Sequence, residues 1–83
     1  MQILYFAWLR QRTGVAEETV SPPPEVTTIG ELIGWLRQRG PGHAAAFADP
    51  AQVRAALDQE MCGPDTPLGA AREVAFFPPV TGG

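Results

Sequence analysis

Lysine is missing from all 83 residues, cysteine and histidine occur once each, and no apolar run approaches the length of a membrane span. Each absence excludes something. Six arginines against nine acids leave a formal net charge of -3, so there is no basic stripe for nucleic acid. Without lysine the chain has no side-chain amine from which a polymer of isopeptide-linked copies could extend. A single Cys62 rules out an internal disulfide framework and fits a reducing compartment. Cys62 and His43 together fall short of the three or four ligands a zinc site needs, and no spacing supports them as a nucleophilic pair, so Cys62 reads as a small, partly buried apolar residue. The glycines form neither a Walker pattern nor a dinucleotide fingerprint. Residues 3–9 are apolar but lack a basic leader and are too short to cross a bilayer, which predicts a cytoplasmic chain with no membrane association.

What is present describes one small folded domain, with 45% apolar and 18% charged residues. At this size a deep substrate cavity is not expected, and a carrier or adaptor is the natural role. The acidic excess suits a basic protein surface and ordinary solubility equally.

The apolar run at residues 3–9 reads as a strand. Alternation places Ile3, Tyr5, Ala7 and Leu9 on one face and Leu4, Phe6 and Trp8 on the other. Residues 10–14 read as a polar connection, and residues 17–21 as a second strand returning antiparallel until the prolines at 22–24 stop it. Thr28 and Glu31 form a capping box, with Ile29, Leu32, Ile33 and Leu36 following as one buried stripe. Gly40 and Pro41 supply the stop, and His43 reads as a surface loop residue.

Residues 49–61 are ambiguous. Asp49 as cap with Pro50 behind it predicts a helix through Val53, Leu57 and Met61, whereas alternation of Val53, Ala55 and Leu57 predicts a strand; propensity favours the helix. Asp58 and Glu60 could share a strand face as an acid pair, though such pairs are usually just solvated. Residues 62–69 are turn-rich, and residues 73–77 read as a last strand ended by Pro78.

The chain then finishes Pro78, Pro79, Val80, Thr81, Gly82, Gly83. Two prolines stiffen the base of this tail in extended form, and Val80 and Thr81 favour extension too. A terminal carboxylate, ionised at neutral pH, is a nucleophile toward the α-phosphate of ATP, and the acyl-adenylate it forms is open to sulfide or an amine. Glycines leave its carbonyl unshielded and let the backbone enter a narrow channel. Frayed, glycine-rich ends are also common in domains with no such chemistry.

The strings EVAFFPPVTGG at the end, ILYFAWLRQRTG at the start and TTIGELIGWL in the middle resemble the sulfur carrier subunits of molybdopterin synthase over nearly the whole length. The resemblance implies an α+β, ubiquitin-like β-grasp fold in residues 1–77. It also implies a mixed sheet, one main helix on one face, and a flexible Gly-Gly tail at 78–83. It makes residues 55–61 a strand segment, against the helix that propensity favours, with Asp58 where the family has asparagine. It implies partner contacts at Phe6, Phe77 and Met61, the last in place of a leucine.

The Gly83 carboxylate would be adenylated by a ubiquitin-activating-type adenylyltransferase using ATP and magnesium, then converted to a thiocarboxylate by a sulfur donor protein. Residues 78–82 would carry it into the large subunit of a heterotetrameric synthase, where the sulfur passes to cyclic pyranopterin monophosphate. The chain would bind no metal or cofactor and act as a co-substrate, not as a catalyst. Carriage of sulfur for thiamine or cysteine synthesis, a protein modifier, and a β-grasp binding module are the alternatives.

Overall fold

A computed structural model of the chain describes residues 1–79. Five strands form one mixed sheet in the order β2-β1-β5-β3-β4: β1 is Gln2–Tyr5, β2 Glu17–Thr19, β3 Arg54–Leu57, β4 Glu60–Cys62 and β5 Glu73–Phe77. The last strand lies parallel to the first at the centre, with Ile3 opposite Val74 and Tyr5 opposite Phe76, and the other pairings are antiparallel. This is the β-grasp arrangement. The main helix, α2 (Ile29–Leu36), buries Ile29, Leu32, Ile33 and Leu36, while Ile3, Tyr5, Val74 and Phe76 are closed off from solvent on one face of the sheet. Phe47 completes the core, its ring edge-on to Phe76 at 5.0 Å.

The cap is built as its sequence predicts, with one difference. Thr28 Oγ1 accepts from the Glu31 amide at 3.2 Å. The Glu31 carboxylate, however, reaches one residue further back, accepting from the amide and the hydroxyl of Thr27 at 3.0 and 2.7 Å. These bonds, the Thr27 hydroxyl first, hold the Glu31 carboxyl below its ordinary range.

Three expectations are corrected. The first strand stops at Tyr5, because Ala7 adopts a positive φ of 55° and turns the chain into helix α1 (Trp8–Thr13), which Gly14 closes in the left-handed conformation at φ 84°. Alternation therefore fails after Phe6: Leu9 is buried from a helix, and Trp8 leaves the outer sheet face to pack half-buried beside the core, under the Arg12 guanidinium at 4.5 Å. Second, the stop at Gly40 is real but momentary. Pro41 begins α3 (Pro41–Ala46), which holds His43 with a side chain only 14% exposed. Third, the helix favoured at 49–61 lasts one turn. Asp49 does cap it, accepting from the Ala51 amide at 3.2 Å, but Val53 is already extended and β3 follows, with Val53 and Ala55 buried.

Asp58 and Gln59, at φ 47° and 73°, form the tight turn between β3 and β4. An aspartate suits that turn because its short side chain tolerates the left-handed region. Its Oδ1 also accepts from the amides of Arg72 and Glu73, each at 3.0 Å, so it clamps the turn to the start of β5 and forms no acid pair with Glu60. Asp58→Ala should lower stability by about 1 kcal/mol and Asp58→Asn by much less, as read by chemical denaturation; equal losses would show that the clamp contributes nothing.

Candidate functional site

In β1 and β5 alternate side chains are buried, and the residues between them form the opposite face of the sheet, where Leu4, Ala75 and Phe77 are half-buried. Register extends that face into a row. Leu4 lies opposite Ala75, Ala75 opposite Ala56, and Ala56 opposite Met61, so four apolar side chains cross four strands without a charge among them. Beyond the row the Phe6 amide donates to the Phe76 carbonyl at 3.0 Å, which brings Phe6 level with Phe77 on the same side. Phe6 is 49% and Met61 67% exposed, unusual for large apolar residues placed together. Charge borders the row, with Glu17 opposite Leu4, Arg54 opposite Phe77 and Glu73 two residues before Ala75 on β5.

The structure thus brings Phe6, Met61 and Phe77 to one surface and adds Leu4, Ala56 and Ala75 between them. Leu4 and Ala75 were readable from alternation. Ala56 was not, because its face is defined only once residues 54–57 are known to be a strand. Pro78 and Pro79 continue directly from Phe77 and are half-buried; Val80, Thr81, Gly82 and Gly83 lie outside the described residues.

The inner side of the same central strands carries a polar cluster that sequence reasoning missed. Glu18, on β2, accepts from the Tyr5 hydroxyl at 2.7 Å and meets His43 Nε2 at 2.6 Å with the same oxygen, while its other oxygen pairs with Arg39 at 3.2 Å. At that distance His43 Nε2 must carry a hydrogen, since a carboxylate can only accept. Burial alone would raise the Glu18 carboxyl, but the bonds from His43 and Tyr5 and the nearby positive charge outweigh it and hold the group below the usual range. Tyr5 is pushed well up, first by its own burial and then by Glu18. Its ring also stacks on Phe76 at 6.3 Å, so the cluster braces the strand from which the tail departs.

Cys62 is half-buried, its thiol donating to the Ala55 carbonyl at 3.6 Å and pushed up in pKa by burial. That makes it a poor nucleophile. Among the described residues no cluster of histidine, cysteine and acids could hold a metal ion, and no helix is long and apolar enough to cross a membrane. The open apolar face can dock a protein.

Comparison with known proteins agrees with this geometry. The ThiS family profile matches residues 3–83. The molybdopterin synthase sulfur carrier subunit of Escherichia coli (strain K12) is 36% identical, with 100% of this chain and 99% of that protein aligned. The protein of the same name from Haemophilus influenzae is 29% identical over 100% and 99% of the two chains. Among solved structures, a putative molybdopterin converting factor, subunit 1, from Pyrococcus furiosus superposes with a TM-score of 0.76 at 30% identity, covering 95% of each chain. SAMP1 from Haloferax volcanii superposes at 0.72 with 23% identity, over 100% of this chain and 98% of that one, and shows the shared fold alone.

Proposed function

The chain belongs to the ThiS family, and on that premise we propose that it is the sulfur carrier subunit of a molybdopterin synthase, delivering sulfur from its own C-terminus to a large catalytic subunit. The observation that carries this reading is full-length similarity to proteins bearing that name, joined to a Gly82–Gly83 terminus that follows the central strand of the sheet.

The chemistry follows from a terminal carboxylate. Its oxygen attacks the α-phosphorus of ATP, held with magnesium on an activating enzyme, and pyrophosphate leaves. The sulfur of a hydrosulfide-level donor then attacks the acyl carbon, the bond to AMP breaks, and a thiocarboxylate remains. In the large subunit that sulfur passes to cyclic pyranopterin monophosphate, and two such deliveries make a dithiolene. Glycine at both final positions keeps the acyl carbon open to each attack. The chain supplies the reacting group and a docking face, and its partners supply catalysis.

Phe77 is the residue through which docking and delivery are most directly linked, being both on the open face and the last residue of β5 before the tail. Phe77→Ala should weaken binding to the large subunit by roughly tenfold or more, measured by calorimetry, because a large aromatic side chain on a docking face carries a disproportionate share of the affinity. Unchanged affinity would place the interface elsewhere.

Reconstitution tests the function itself. Thiocarboxylated chain, the large subunit and cyclic pyranopterin monophosphate should yield molybdopterin, whereas a thiamine-pathway sulfur acceptor should receive none. The opposite pattern would reassign the carrier.

A further inference from the structure

Sulfur occurs in three side chains, those of Met1, Met61 and Cys62, and the fold exposes them unequally. Met61 is 67% exposed on β4, the outermost strand on its side of the sheet. Met1 is half-buried against the core, with its amine tied to the Val20 carbonyl at 3.0 Å. Cys62 is half-buried, and its thiol donates to the Ala55 carbonyl. A peroxide attacks cysteine as the thiolate, a form that burial suppresses at Cys62, whereas a thioether reacts as it stands. The two tryptophans are also half-buried, Trp8 under Arg12 and Trp35 under Arg39. Met61 is therefore the side chain that an oxidant reaches first.

Its placement gives that reaction a consequence. Cys62 lies opposite the buried Ala55, and Met61 lies opposite Ala56 on the open face. The thioether thus ends the row that runs through Leu4, Ala75 and Ala56, side chains with no hydrogen-bonding atom among them. In the free chain a sulfoxide oxygen at Met61 would stay in water and cost the fold little. Against a docked protein it would lose that water beside a row with no donor to replace it.

We propose that Met61 is a redox-sensitive modification site on the docking face, where oxidation by a hydroperoxide weakens docking and reduction restores it. The proposal rests on the reading that this face binds the large subunit. One hydroperoxide oxygen passes to the thioether sulfur, the S–O bond forming as the O–O bond breaks. The sulfur is oxidised, and the peroxide is reduced to water or an alcohol. In the reverse direction two thiols of a sulfoxide reductase are oxidised to a disulfide, the oxygen leaves as water, and the thioether is regenerated.

The test uses the full chain with its terminal carboxylate, so that no carried sulfur can be oxidised. The chain alone is treated with hydrogen peroxide, the peroxide is removed, and the large subunit is then added. Peptide mass mapping should place the first added oxygen on Met61, with the melting temperature unchanged. Calorimetry should show binding weakened about tenfold against the same chain untreated, the cost of desolvating an unpaired polar group, and recovered after a thiol-dependent sulfoxide reductase. Met61→Leu has no sulfur at that position, so its affinity, whatever its starting value, should be the same before and after peroxide. The proposal is overturned by oxygen appearing first on Met1 or Cys62, by equal binding of the oxidised and untreated chains, or by a matching loss in treated Met61→Leu. An untreated chain that fails to bind would overturn the docking reading and this proposal with it; an untreated chain that binds, with any of those three results, overturns this proposal alone.

Discussion

Deleting Gly83 should reduce sulfur delivery by at least about a thousandfold while leaving the fold unchanged. The truncated chain still ends in a glycine carboxylate, so the reacting group itself is not lost; its position is. Removing one residue withdraws the acyl carbon by roughly 3.5 Å along an extended tail. Misplacement of a reacting centre by about 1 Å can already cost a hundredfold, and the shortened tail must fail twice, at adenylation and again at transfer. Stability should not change, because the buried core ends at Phe76. Single-turnover sulfur transfer and a thermal melt of the same preparation separate the two effects. A truncated chain that delivered sulfur at the full rate would show that delivery does not depend on a carboxylate placed at Gly83.

Glu18→Ala should lower stability by about 3 kcal/mol, the largest loss expected from any single polar side chain here. Glu18 accepts from Tyr5 and His43 with one oxygen and pairs with Arg39 through the other. Alanine leaves the hydroxyl of Tyr5, a residue only 1% exposed, and a half-buried imidazole without their acceptor. The Arg39 pair adds little, since that side chain is 36% exposed and solvent screens it. Glu18→Gln keeps an acceptor oxygen and should fall between.

The same cluster sets an acid dependence. Because the folded protein holds the Glu18 carboxyl below its ordinary pKa, its contribution is fully present above the ordinary glutamate value of about 4.3 and is lost as pH falls through the folded-state value. Denaturation curves should therefore show the native chain weakening in acid more steeply than Glu18→Gln. Parallel curves, or a loss on Glu18→Ala below about 0.5 kcal/mol, would mean the cluster is ornamental.

The parts of the fold that follow local rules were legible in the sequence. The Thr28 cap, the stripe of Ile29, Leu32, Ile33 and Leu36, and the strand at 73–77 each rest on contacts within a few residues. What could not be read depends on residues far apart. Nothing near Ala7 announces a positive φ, so the strand was carried four residues too far, from Tyr5 to Leu9, and α1 was missed.

His43 looked like a loop residue because its partner, Glu18, lies 25 positions away. At residues 49–61 the local signal was correct for one turn, and burial of Val53 and Ala55 beside β5 then overrode it. The candidate site divides in the same way. Phe6, Met61 and Phe77 came from a family resemblance, and register supplied Leu4, Ala56 and Ala75. The polar brace beneath them emerged only in three dimensions.

Sulfur carriage itself is decided by the intact mass of the chain after incubation with ATP, magnesium, the activating enzyme and a sulfide source. The account predicts a species heavier by the difference between one sulfur and one oxygen, located to Gly83 by fragmentation and absent when ATP is withheld. An unchanged mass under those conditions, or sulfur found on Cys62 instead, would contradict it.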